Sequence, residues 1–227
     1  MEVLILCGFV ALVILAIWFA WYQKKKRREE LARMARQLGL EYSIPDTLGC
    51  LGLPFKLLTK GDGRGTENVM WGSWQGMGVQ EFDYWYYEES TDSNGSRSKT
   101  YYRFSCAVTG IDAQCSALTL ERENLFTRVA DHMGLRDIEF ESGAFNHAFN
   151  VKSPDRKFAN DMIDARMMDW LLSVGGEFNF EVSGSSLLCY SKRRRPMELI
   201  PLLETLRAFH EHVPKVVYEL YGTDAAR

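Results

Sequence analysis

Charge is missing from the start of this 227-residue chain: after Glu2, no Asp, Glu, Lys or Arg occurs before Lys24. Several chemical signatures are missing too. There is no CxxC pair, no HExxH, no GxSxG, and no glycine loop that opens a helix with Lys and Ser/Thr. These absences remove the zinc-ribbon, thioredoxin, zinc-protease, serine-elbow and P-loop readings. Proline is scarce at six residues and no low-complexity tract occurs, so collagen-like and disordered readings fail as well. Five scattered cysteines (Cys7, Cys50, Cys106, Cys115, Cys189) are an odd number, which fits reduced, mostly buried thiols on the reducing side of a membrane. An overall basic excess is also lacking. The formal charge is −3, and residues 39–227 alone carry −7, which argues against nucleic acid as a partner. No cofactor and no metal are expected.

What is present begins with Val3 to Tyr22, twenty apolar residues that at about 1.5 Å rise each match a bilayer core of roughly 30 Å. Trp18, Trp21 and Tyr22 suit the headgroup level, and Lys24, Lys25, Lys26, Arg27 and Arg28 follow at once. A cleaved signal peptide would need a basic start and small residues before a cut site, and this run has neither. The basic cluster predicts a single-pass protein of the cell membrane, with its N-terminus outside and its C-terminal domain cytoplasmic. The triplet Asn94-Gly95-Ser96 would be a glycosylation acceptor only if that domain faced a secretory lumen.

Residues 1–23 are therefore read as the anchor, 24–54 as a basic juxtamembrane helix and connector, and 55–227 as a cytoplasmic α+β domain. Leu31, Met34, Ala35 and Leu38 recur at helical spacing until Gly39, a residue that ends helices with positive φ. Pro45, Gly49, Gly52 and Pro54 then predict a connector. An antiparallel meander of about five strands follows: FKLLTK, NVMWGSW, VQEFDYWYY, TYYRFSCAVT and SALTLE. The polar stretch 88–100 predicts a mobile hairpin tip. Further on, the patterns predict a helix over 125–133 ended by Gly134, strands at DIEFE and AFNVK, and a helix capped by Ser153 with Pro154 first. A hairpin turning at SGSS comes next, then a helix from Pro196 interrupted at Pro201 and restarted after Pro214. LARMARQLGL (31–40) and FTRVADHMGL (126–135) echo each other, compatible with a degenerate internal duplication.

Among chemistry-bearing residues, Gly61-Asp62-Gly63-Arg64-Gly65 precedes a strand and reads as a turn rather than a phosphate cradle. His210 and His212 point about 200° apart on a helix and read as solvated. Trp71, Trp74 and Trp85, with Asp83, form the candidate partner or ligand surface, since aromatic walls with a few polar groups suit a pocket or a contact. Lys24, Lys25, Lys26, Arg27 and Arg28, joined by Arg193 and Arg194 of the KRRR run, are candidate lipid-headgroup contacts. Asp161, Asp164 and Arg166 on one helix, with Asp83, are the best polar groups for an enzyme.

The runs WGSWQGMGVQEFDYWYYEES and FNHAFNVKSPDRKFANDMIDARMMDWLL resemble an uncharacterised bacterial family of membrane-anchored proteins, commonly actinobacterial. The resemblance implies a bacterial plasma-membrane setting and supplies no reaction, ligand or active site. The first reading is a non-enzymatic module that binds a protein partner or small ligand at the bilayer surface. Alternatives are a membrane-tethered enzyme with carboxylates in an aromatic cleft, and a lipid sensor using the two basic clusters.

Overall fold

The computed structural model describes residues 2–93, 95–122, 136–174 and 177–223. The expected helix over 125–133, Gly134, Asn94 and the second copy of the internal echo lie outside the described residues. The fold is α+β: one long N-terminal helix, then an antiparallel meander extended into a seven-stranded sheet and packed by helices.

Helix α1 runs unbroken from Glu2 to Leu38. It is long and apolar enough to cross a membrane, and from Ile5 to Tyr22 its large apolar side chains are exposed. Gly39 ends it at φ 71°, and the Leu40 N–H donates to the Ala35 carbonyl at 2.8 Å, a bond that closes the last turn. Leu40 thereby folds back beside Leu31, Met34 and Ala35 in the first core.

The connector expected over 40–54 contains a strand instead. β1 (Glu41–Pro45) pairs with β2 (Gly63–Trp74), which pairs with β3 (Met77–Thr91), which pairs with β4 (Arg97–Arg122), each antiparallel. FKLLTK is not a strand. Phe55 and the adjacent Leu57 and Leu58 all bury themselves, which a period of two does not allow, and a 3₁₀ turn at Leu57–Thr59 achieves it. The Glu181 carboxylate fixes that turn by accepting from the N–H groups of Lys56 (2.6 Å) and Leu57 (2.9 Å).

TYYRFSCAVT and SALTLE form one strand, the 26-residue β4, which is the spine of the sheet. β5 (Arg136–Asp137) pairs with β6 (Phe149–Ser153), and β6 pairs with the far end of β4; the short helix α2 (Gly143–Ala148) lies between β5 and β6. SGSS is likewise not a turn. β7 (Asn179–Lys192) passes straight through it along β4, and Gly184 at φ 57° takes up the register shift opposite Gly110–Cys115. The tip is shorter than its polarity suggests. The ladder persists to Thr91–Arg97 because exposed cross-strand polar pairs, Ser90 with Ser98 at 2.8 Å and Glu89 with Lys99 at 3.1 Å, suit an exposed sheet.

The expected helix from Ser153 is two helices. Ser153 ends β6, Asp155 caps α3 (Arg156–Met162), and Asp164 caps α4 (Ala165–Ser173) by accepting from the Met167 N–H at 2.7 Å. Pro201 interrupts nothing. It sits in the first turn of α5 (Leu199–His212), where a missing N–H loses no bond, and α6 (Lys215–Tyr221) follows Pro214. Two cores result. One packs the end of α1, α3 to α6 and the inner residues of β4 and β7; the other packs Phe55, Leu57 and Leu58 on Phe82, Tyr84, Tyr86, Phe104 and Tyr190. Cys50, Cys106, Cys115 and Cys189 are buried free thiols.

Candidate functional site

Where α1 meets the sheet, the backbone of β2 is irregular. Its register shifts between Glu67 and Met70, and Asn68 takes φ 59°, a region that asparagine tolerates better than most residues. The buried Asn68 amide donates to Asp83 Oδ2 at 2.9 Å and accepts from the Tyr42 hydroxyl at 2.9 Å. Asp83, on β3, is the centre of the junction. The Arg27 fork binds it through Nε (2.8 Å) and Nη2 (2.5 Å), while Arg27 Nη1 donates to the Arg194 carbonyl at 2.6 Å. A bidentate pair of this kind fixes orientation as well as distance. With side chains 12% and 5% exposed, Arg27 and Asp83 form a nearly buried ion pair between residues 56 apart in sequence.

Neighbouring charges extend the junction. Glu67 receives Lys24 at 2.9 Å and Arg28 at 3.5 Å. Burial would raise its carboxyl, but Lys24, Arg193 and Arg28 together hold it below the ordinary range. Glu81, two residues before Asp83 and on the same face of β3, is 1% exposed and neither of its oxygens has a hydrogen-bond partner. Burial, reinforced by the charge of Asp83 and opposed by Arg27, pushes Glu81 well above the usual carboxylate range, so the neutral acid is favoured.

Beside this junction lies a groove of about 1090 Å³ between residues 20–37 of α1 and the segment 193–198. Eight basic and three acidic side chains line it, together with Ala20, Gln23 and the strongly exposed Met197. Arg193 is depressed by burial and by its like-charged neighbours Arg27 and Arg103, against the pull of Asp83 at 3.6 Å. Arg194 lies over the Phe178 ring at 4.6 Å, and Arg195, 85% exposed, pairs with Glu198 at 2.5 Å.

A ring face continues from the groove. Trp85, Tyr87 and Tyr101 stand together, with Tyr87 and Tyr101 centroids 5.4 Å apart and Lys99 Nζ 4.2 Å from the Tyr87 ring. Two glycines make room for them. A Cβ at Gly63 would lie 2.4 Å from the Tyr87 ring, and one at Gly65 would lie 2.9 Å from Trp85. The strand direction is informative. Val79 and Met70 share a core with Leu31 and Ala35, whereas Arg103, opposite Trp85, borders the groove with Ala20 and Gln23. Moving along β3 toward Tyr87 therefore moves along α1 toward its apolar half.

The four residues expected to form one partner surface are dispersed. Trp74 is buried in the first core, Trp71 is half-buried against the second, Asp83 is engaged by Arg27, and only Trp85 belongs to the ring face. Of the residues expected at headgroups, Lys24, Arg27 and Arg28 reach carboxylates of the sheet. Lys25 and Lys26 pair with Glu29 and Glu30 along α1, and Arg193 and Arg194 line the groove. The residues considered for an enzyme have structural partners. Asp161 accepts from Lys157 (2.7 Å) and the Tyr221 hydroxyl (2.8 Å), Asp164 is a cap, and Arg166 donates to the His212 carbonyl at 2.9 Å. His212 is not merely solvated; it stacks on Trp170 at 4.8 Å. Among the described residues no cluster of His, Cys, Asp and Glu suits a metal. Sequence reading missed Glu67, Asn68, Glu81, Arg33 and Arg103. Only Glu81 left a signal, as a second carboxylate beside Asp83 on the Val79 face of β3.

No family model matches the chain, and no curated protein matches it. Among solved structures, the crystal structure of the mycobacterial trehalose monomycolate transport factor A, TtfA, superposes with a TM-score of 0.58 over 82% of this chain and 93% of that one. Sequence identity is 14%, so the likeness is one of fold, an α+β sheet that both proteins share.

Proposed function

We propose that this chain is a single-pass, non-enzymatic module of the cell membrane, with its N-terminus outside and its α+β domain cytoplasmic, holding a membrane-protein partner at the bilayer surface. The observation that carries this reading is the junction. A helix fit to span runs without a break into the sheet and is locked there by Arg27 and Asp83, so the domain is held against the membrane at a set angle rather than on a free linker. Confinement of that kind raises the effective concentration for a neighbour in the same membrane. In this reading residues 1–23 are the anchor, 24–54 join it to the domain, and 55–227 carry the domain. The Trp85, Tyr87 and Tyr101 face, on the strand ends nearest the apolar half of α1, is the contact surface. The structural neighbour is a transport factor, which supports an accessory role in transport.

Topology is tested in intact cells. With Cys7 changed to Ser, a cysteine added after Arg227 should resist a membrane-impermeant thiol reagent; labelling there would overturn the orientation. The contact surface is tested by a photo-crosslinking residue at position 101. It should join the protein to an integral membrane protein, whereas the same residue at Lys215 should not. Gly63→Ala should reduce that product severalfold with little loss of stability, because the half-exposed Tyr87 ring swings aside to admit the methyl. Equal crosslinking from both positions would remove the ring face from the proposal.

A further inference from the structure

The groove beside the junction has more positive charge than the fold itself uses. Arg27, Arg28 and Lys24 are paired with Asp83 and Glu67. Arg33 and Arg103, both exposed, have no carboxylate within 4 Å among the described residues. The three successive arginines at 193–195 share the opposite wall, where Arg193 already sits against Arg27 and Arg103 at an electrostatic cost. An anion in the groove would relieve that repulsion. Guanidinium forks match the oxygens of a phosphate two at a time, and a cluster of them is selective for that geometry.

Position and lining narrow the source. Ala20 and Gln23 border the groove on α1, one on each side of the Trp21 and Tyr22 rings that mark the headgroup level. On the opposite side Met197 is 82% exposed, an apolar side chain placed where a soluble anion would give it nothing to cover. The volume of about 1090 Å³ exceeds that of one phosphate and suits a headgroup with part of its glycerol and chains. The rest of the chain is acidic, so this positive patch is local rather than a general surface property.

We propose that the groove between α1 and residues 193–198 binds the phosphate of an anionic membrane lipid, with Arg33 and Arg103 as the arms open to it, the exposed Arg195 adding its charge from its pair with Glu198, and Met197 against the lipid's apolar part. The proposal rests on the reading that α1 spans the bilayer, but not on which side the domain lies.

The full-length protein in neutral detergent, titrated with phosphatidylglycerol or phosphatidylcholine and followed by native mass spectrometry, tests it. Phosphatidylglycerol should be retained about tenfold better, and Arg33→Gln/Arg103→Gln/Arg195→Gln should abolish that preference. The charge-matched Arg97→Gln/Arg156→Gln/Lys215→Gln, on exposed residues elsewhere, should keep it. Arg33→Gln alone should lower retention in the same direction, which keeps the test open if the triple variant fails to fold. Equal retention of the two lipids, an unaffected groove variant, or equal loss in the control would overturn the site. Displacement of lipid by millimolar inorganic phosphate would assign the groove to a soluble phosphate compound. Lipid indifference with an acidic protein segment crosslinked at position 33 would assign it to a protein. Either result overturns the lipid. Because this readout is blind to orientation, it can fail while the topology stands, and the reverse.

Discussion

Arg27→Met is expected to destabilise the globular part by about 3–5 kcal/mol, measured by urea unfolding of the full-length protein in detergent micelles with tryptophan fluorescence as the probe. The substitution keeps the length of the apolar stem and removes the guanidinium. What remains is Asp83, 5% exposed, with the Asn68 amide and a more distant Arg193 as its partners. Breaking one side of a buried ion pair costs more than the pair contributes, because the stranded charge has lost its hydration without compensation. Arg27→Met/Asp83→Leu should therefore be more stable than Arg27→Met alone, since it removes the stranded charge too. The Arg194 carbonyl also loses its donor, which should loosen the wall of the groove. A loss below about 1 kcal/mol for the single variant would mean that the junction is hydrated and behaves as a surface pair.

Stability is also expected to fall as pH rises from about 4.5 to 7, against the common acid-denaturation trend. Burial pushes Glu181 up to about 7, opposed by the backbone N–H groups of Leu57 and Lys56. Its folded value lies above the unfolded value, so the native state holds more protons in that window. The associated stability is fully present below the unfolded value and is lost as pH passes through about 7, amounting to about 3 kcal/mol. Glu81 is raised by burial and by Asp83 and adds to the loss with the same sign. Asp46, Glu67 and Asp161 act oppositely. Their depressed values contribute stability above the ordinary carboxylate range that disappears on acidification below it. A maximum at mildly acid pH should result. Glu81→Gln should flatten its neutral side at little cost, because neither oxygen of Glu81 has a hydrogen bond to lose. Stability rising steadily from pH 4.5 to 7 in the unaltered protein would contradict both assignments.

The chain's local chemistry was sufficient for some of this. An uncharged run of twenty residues can only be a helix where there is no water, so α1 and its apolar half were legible, as was its end at Gly39. The strand-forming run TYYRFSCAVT likewise announced the centre of β4. Partners at long separation were not legible. A cluster of five cations beside an apolar run looks the same whether it faces phosphates or carboxylates. Only the fold, by bringing Asp83 and Glu67 beneath α1, divides it into residues that lock the junction and residues left facing outward.

The same division explains the other differences. SGSS and the glycines at 63 and 65 carry turn chemistry, but pairing along β4 and the approach of Tyr87 and Trp85 made them a continuous strand opposite a bulge in β4 and a bed for rings. Asp161 and Asp164 look paired at three residues' spacing until a cap at Asp164 breaks the helix between them. Local periodicity reports only which face a side chain takes relative to its neighbours two to four residues away. The amino-acid order by itself determined the long apolar helix, most of the strand-forming segments and the local sign of the charge. Tertiary structure decided which charges neutralise one another and which remain, because Coulomb energy and desolvation depend on distances and burial that no stretch of ten residues contains.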